Sequence, residues 1–173
     1  MCSMLCFMKI ILVMATTLDG KIAKSSDHFP DWTSKEDKRH FMKLSKEHGV
    51  VIMGDKTFFT FPSPLPDRLN VVFSLEKDLP TIPGVKWVSG EPEEVLKELE
   101  SMGYQSAILG GGTGINSLFL AHKLVDEVII TVEPKVFGDG LGLFKGDFNV
   151  NLKLISVDKL NEDSVILKYK VIY

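Results

Sequence analysis

The sequence predicts a single α/β domain with a mostly parallel central sheet, helices on both faces and an antiparallel C-terminal hairpin. Three observations carry this expectation. Short apolar runs without alternation, Lys9–Ala15 and Val50–Met53, read as strands covered on both faces, as in parallel sheets. Amphipathic stretches separate such runs through the first part of the chain, as crossover helices do. The tail differs: Leu152–Leu160 and Val165–Ile172, joined by Asn161-Glu-Asp, read as two antiparallel strands.

Composition bounds the rest. A chain of 173 residues suits one domain with a sizeable core, and no repeat, low-complexity tract or linker divides it. Hydrophobic residues make up 45% and charged residues 25%, the balance of an ordinary soluble domain. A net charge of −3 recommends neither nucleic acid nor an anionic membrane as a partner. Cys2 and Cys6 are too few and too close together for a disulfide framework, so a reducing, cytoplasmic setting is expected. Met1–Val13 is apolar, but it lacks a basic start, is interrupted by Lys9 and is too short to span a bilayer. Residues 8–173 are therefore read as the domain and 1–7 as an N-terminal extension.

After the first strand, Thr16–Thr33 has no periodicity and holds Asp19-Gly20 and Phe29-Pro30. A loop this long is either a lid or a surface excursion. Thr33-x-x-Glu36 reads as a capping box opening a helix that runs through Lys46, with Gly49 ending it. Asp37 lies four residues before Phe41 and seven before Leu44, on the apolar face. A carboxylate there either complements the helix dipole or faces a site. Gly54 follows the second strand and precedes a short helical turn, Asp55–Phe61. The Pro62-Ser-Pro-Leu-Pro66 stretch is a stiff loop, ending at Arg68. Leu69–Phe73 and Val85–Val88 read as strands. Glu91–Met102 reads as an amphipathic helix with Gly103 beyond its end. Strands are also expected at 106–109 and Leu124–Val132, and a glycine-rich loop at 137–142.

The chemistry-bearing stretch is Ala107-Ile-Leu-Gly-Gly-Gly-Thr-Gly-Ile-Asn116. It passes from an apolar strand through three glycines into a helix carrying Ile115, Leu118 and Phe119. Free amides and the positive dipole end at a helix N-terminus attract phosphate, and glycine lets the backbone approach a ligand closely. The plain alternative is a strand-to-helix turn that needs glycine for its own geometry. The spacing is not G-x-G-x-x-G, so a standard dinucleotide-binding domain is not expected.

Taken together, these pieces resemble a known family. Trp32-x-x-x-x-Asp37-x-x-x-Phe41, Val51-Ile-Met-Gly54-x-x-Thr57, Pro64-Leu-Pro-x-Arg68-x-Asn70, Ile108-x-Gly-Gly-Gly112, Thr131 and Gly138-Asp139 follow the order and spacing of dihydrofolate reductases. The resemblance runs from about Ile10 to the C-terminus. Two further segments, Leu18-Asp-Gly-Lys-Ile-Ala23 and Gly112-Thr-x-x-Asn116 with Leu124-Val-Asp-Glu127, are similar to the reductase domain of riboflavin biosynthesis, which shares the fold.

The resemblance implies an NAD(P)H-dependent reduction of dihydrofolate to tetrahydrofolate. Asp37 would accept two hydrogen bonds from the amidine edge of the pterin. Trp32 would close the lid side and hold an ordered water. Phe41, Leu65, Thr60 and Thr131 would complete the substrate pocket, and Arg68 would grip the carboxylate of the glutamyl tail. Ala15 and Ile22 would meet the nicotinamide. Gly110, Gly111, Gly112, Thr113, Gly114 and Ile115 would cradle the pyrophosphate, and Gly54, Lys56, Thr57 and Ser74 the adenosine side. NADPH is the implied cofactor, but the family's arginine after Met-Gly is Asp55 here, which opens NADH use. Lys38 replaces a commonly apolar pocket residue. The alternatives are a riboflavin-pathway reductase of a ribosylaminopyrimidine 5′-phosphate and a non-catalytic nucleotide-binding module. No metal is expected, and the chain is read as a monomer or homodimer.

Overall fold

The first strand, β1 (Lys9–Thr17), sits in the middle of the sheet because its residues are apolar towards both faces. In the computed structural model, which describes residues 8–173, Ile10 and Leu12 pack on one face and Ile11 and Val13 on the other. The reading of residues 1–7 as an extension, and both cysteines with it, lies outside the described residues. Eight strands form the main sheet in the order β5-β4-β3-β6-β1-β7-β10-β9. They are β3 (Val50–Gly54), β4 (Leu69–Phe73), β5 (Val85–Val88), β6 (Ser106–Leu109), β7 (Glu127–Glu133), β9 (Asn151–Lys159) and β10 (Val165–Ile172), with β1. Pairing is parallel from β5 to β7; β10 runs antiparallel to both β7 and β9.

Helices cover the two faces. Leu96 and Leu99 of α3 (Pro92–Ser101) and Phe119 of α4 (Thr113–Ala121) are fully buried against Ile10, Leu12, Val50 and Ile52. Each such side chain contributes about 1.5–3 kcal/mol through burial. On the other face, α1 (Lys35–His48) lays Phe41, Met42 and Leu44 over Ile11, Val13, Val51 and Ile108. The short α2 (Asp55–Phe58) follows β3 directly and seats Phe58 beside Leu65 and Val72.

Three local expectations change. The cap of α1 is Ser34, not Thr33: the Ser34 hydroxyl accepts from the Asp37 amide at 3.2 Å. Ser34-x-x-Asp37 and Thr33-x-x-Glu36 are one residue apart and equally plausible as strings. The long loop after β1 contains a short strand, β2 (Lys21–Ala23), paired antiparallel with β8 (Leu141–Gly142), and both are too short to show periodicity. The strand expected from Leu124 begins at Glu127, because 124–126 form an irregular connection after the turn that leaves α4. At the sheet's far edge, β9 leaves Leu152, Leu154, Ile155 and Val157 exposed.

The parallel strands β1, β3, β4 and β6 all deliver their C-terminal ends to one rim. Strand order reverses around β1, and open α/β sheets bind ligands at such a rim.

Candidate active site

A cleft of about 1110 Å³ opens at this rim. Its floor is the end of β1, with Val13, Met14 and Ala15. Two walls face each other across it, one built from backbone and one from side chains.

The backbone wall is the glycine turn between β6 and α4. Gly110 donates its amide to the Ile52 carbonyl at 2.8 Å, and Gly54 donates to the Gly111 carbonyl at 2.9 Å, so the turn is stitched to β3. Gly111 has φ of 91°, and a Cβ there would lie 2.9 Å from Met14, so only glycine fits. The Gly111–Gly112 peptide is cis. Gly112 caps α4 without a side-chain hydrogen bond, and Gly112, Thr113, Gly114 and Ile115 all line the cleft. The first-turn amides of α4 therefore face open space with the positive end of the helix dipole behind them. This arrangement suits a pyrophosphate.

The side-chain wall is the start of α1. Asp37 is buried, 9% exposed, and lines the cleft. Burial holds its carboxyl above the ordinary range. The neighbouring Thr131 hydroxyl acts against that rise, the like charge of Glu133 adds to it, and the Thr33 hydroxyl also acts against it. Glu133 explains why the helix starts here. Its Oε1 accepts from both the amide and the hydroxyl of Ser34 at 2.7 Å, and its Oε2 accepts from the Ser164 hydroxyl at 2.7 Å. A carboxylate at a helix N-terminus is favoured by the dipole. This buried glutamate thus pins the first turn of α1 to β7 and to the turn before β10, and Asp37 is aimed as a result.

Trp32 and Phe41 line the same wall. Trp32 packs edge-on against Phe137 with ring centres 5.1 Å apart, and its Nε1 is buried without a partner. Asp19 ties the loop after β1 to the same neighbourhood, accepting from the amides of Phe137 at 3.1 Å and Gly138 at 2.7 Å. Chiefly through the donating Thr17 hydroxyl, with the two amides adding, the Asp19 carboxyl is lowered to about 2.

Most residues named from the sequence meet at this cleft. Ala15, Ile22, Gly54, Lys56 and Thr57 line it, as do Thr60, Ser74 and Gly110. Lys38 lines it too. Thr131 and Gly111 stand behind the lining, the first beside Asp37 and the second accepting from the Gly54 amide. Two do not reach it. Leu65 is core, packed with Phe58 and Val72. Arg68, expected to present its fork to a substrate carboxylate, is buried and absent from the cleft lining, with two of its three nitrogens engaged internally. Its Nε donates to the Pro66 carbonyl at 2.8 Å, and its Nη1 donates to the Met42 carbonyl at 3.0 Å and to the Ser45 hydroxyl. The reason is local: Ser45 and the Met42 carbonyl offer acceptors beneath α1.

Sequence reasoning missed Glu133, Ser34 and Ser164, whose roles depend on pairings 99 and 31 residues apart in the chain. It also missed Ser25, Ser26 and His28 in the loop after β2, Glu76 beyond β4 and Ser89 beyond β5, all cleft-lining. Short loop residues of these types carry no signal of their own.

Comparison with known proteins places this cleft in a family. The family model described as RibD C-terminal domain matches residues 8–166. A dihydrofolate reductase of Ureaplasma parvum is 30% identical, the match covering 91% of this chain and 94% of that protein. The 2,5-diamino-6-ribosylamino-4(3H)-pyrimidinone 5′-phosphate reductase of Methanothermobacter thermautotrophicus is 27% identical, covering 94% of this chain and 97% of its own. Acinetobacter baumannii RibD superposes with a TM-score of 0.85 at 19% identity, over 98% of this chain and 59% of that one, and shares the fold.

Proposed function

Because the chain belongs to the RibD C-terminal domain family, within the dihydrofolate reductase-like superfamily, we propose that it reduces a 2-aminopyrimidin-4-one carrying a ribosylamino 5′-phosphate, using a pyridine dinucleotide. The named relatives are reductases of two kinds, and their substrates share one edge. A pterin and a 2,5-diaminopyrimidinone both present a 2-amino group beside a ring N–H. One carboxylate accepts both bonds.

Asp37 carries this reading. It is a buried carboxylate beside the Thr33 and Thr131 hydroxyls, and it lines the cleft with lone pairs to offer a ligand. Its raised pKa suits a group that shares protons with a bound heterocycle. Arg68 lends the folate reading less support than its motif implies. Its Nε and Nη1 are engaged by backbone carbonyls and the Ser45 hydroxyl, and it does not line the cleft. Dihydrofolate remains the second reading, favoured by Trp32, Asp37 and Phe41 at the spacing of the folate enzymes.

The chemistry follows from the substrate. A ribosylamine opens when its N–H proton passes to the ring oxygen, leaving an imine between C1′ and the amine nitrogen. Addition of hydride at C1′ and of a proton at nitrogen gives a ribitylamine. A bound pyridine dinucleotide supplies the hydride. The uncapped amides of Thr113 and Gly114 would hold its pyrophosphate, and Ala15 and Ile22 would flank the reacting ring. Asp37 would orient the heterocycle, and Trp32 with Phe137 would exclude water from the imine. NADPH is the cofactor the family resemblance implies.

The test is an absorbance assay of reduced cofactor with the diaminopyrimidinone ribosyl phosphate and with dihydrofolate, each against NADH and NADPH. Turnover of the pyrimidine well above that of dihydrofolate supports the proposal. Faster turnover of dihydrofolate transfers it to the second reading. Tight cofactor binding with neither substrate reduced points to a binding module.

A further inference from the structure

The dinucleotide reading leaves one group undecided, the 2′ substituent of the adenosine ribose. Three placements limit where that ribose lies. On that reading the α4 N-terminus would take the pyrophosphate, and Ala15, Ile22 and Asp37 the nicotinamide and substrate on one side. The adenosine must then run the other way, over the ends of β3 and β4.

That end of the cleft is acidic. Asp55 is the first residue after β3 and Ser74 the first after β4, and the Ser74 hydroxyl donates to Asp55 Oδ2 at 2.7 Å. The other oxygen, Oδ1, accepts from the Lys56 amide at 2.6 Å. Ser74 Oγ accepts in turn from the Glu76 amide at 3.2 Å, so Glu76 follows the same turn. Asp55, Ser74 and Glu76 all line the cleft, with Lys56 as the neighbouring cation. Among the described residues, neither Asp55 nor Glu76 forms an ion pair. Asp55 is half-buried, where charge is screened less than in open water.

A ribose 2′-hydroxyl can donate to the lone pairs Asp55 has left, since an ionised carboxylate accepts about four hydrogen bonds. A 2′-phosphate can donate nothing there, and it would bring about two negative charges against two carboxylates and one ammonium. We infer that Asp55, with Glu76 beside it, is a specificity residue that selects the dinucleotide lacking a 2′-phosphate, so that NADH is preferred over NADPH. This rests on the dinucleotide reading and narrows it.

The test is a fluorescence titration of the purified protein with NADH and with NADPH, without substrate, for wild type, Asp55→Arg and Glu76→Gln. The expected result is NADH binding at least about tenfold tighter in wild type, with the order reversed by Asp55→Arg and the gap narrowed by Glu76→Gln. Because Glu76 is exposed, its variant keeps the test open should Asp55→Arg fold poorly. Tighter NADPH binding by wild type, or a ratio unmoved by both substitutions, overturns the inference while leaving the dinucleotide reading intact. Binding of neither cofactor overturns that reading and the inference together.

Discussion

The two walls of the cleft are built differently. The glycine wall is backbone: one contiguous stretch, Gly110–Ile115, forms it, and its requirement is steric. The α1 wall is side chain: Asp37 is positioned by Thr33, Ser34, Thr131, Glu133 and Ser164, drawn from distant parts of the chain. Damage to the first wall should therefore appear in cofactor affinity and stability. Damage to the second should appear in turnover and its pH dependence, with little change in cofactor affinity.

The largest expected effect is on the side-chain wall. Asp37→Asn should lower kcat/KM about 100-fold, the order of one lost charged hydrogen-bond pair. The variant should keep its cofactor affinity. The sign of its stability change is fixed by the raised pKa. A carboxylate whose folded pKa lies above its unfolded value of 3.8 lowers stability once pH rises above that window. Removing the charge should therefore leave the melting temperature at pH 7 equal or higher. A lower melting temperature with unchanged turnover would make Asp37 a structural residue.

Gly111→Ala tests the other wall. Positive φ and the contact with Met14 should cost about 1–3 kcal/mol of stability, and the displaced turn should weaken dinucleotide binding. Calorimetry and titration read the two effects separately. If affinity survives at full strength, the turn is a fold feature alone.

Glu133→Gln should act on both stability and pH. It weakens the grip on Ser34, at about 1 kcal/mol, the scale of a helix cap. It also removes a like charge from Asp37, so the pKa of Asp37 should fall towards the ordinary range, and the acidic limb of the activity profile should move to lower pH. An unmoved profile would separate the two carboxylates.

The smallest effect on function is expected from Arg68→Met. Unfolding should become easier by about 1–3 kcal/mol as Ser45 and two carbonyls lose their donor. KM for either substrate should stay within about twofold. A raised KM for dihydrofolate alone would return Arg68 to the site and strengthen the folate reading.

The same contrast explains what the sequence disclosed. The strands of the sheet core, the glycine turn and the position of Asp37 on the buried face of α1 follow from local periodicity and from glycine. The face of Asp37 was legible because Phe41 and Leu44 mark the apolar stripe. What aims it was not, because Glu133 lies 99 residues from Ser34 and reads as an ordinary strand end. Arg68 misled for a related reason. Its motif fixes where the backbone goes, but Ser45 and the Met42 carbonyl decide where the guanidinium points. The β2–β8 pair escaped notice because three residues against two carry no pattern, although Gly140 shows how close the two segments run: a Cβ there would clash with the Ala23 carbonyl oxygen.

One comparison tests the role of Asp37 directly: the rates at which the wild-type protein reduces the 2-amino pyrimidinone ribosyl phosphate and its 2-oxo counterpart. The carboxylate should favour the 2-amino compound by about 10- to 100-fold, because the oxo group replaces a donor with a second acceptor. Equal rates, or a faster 2-oxo reaction, would contradict the assignment of Asp37 to that edge.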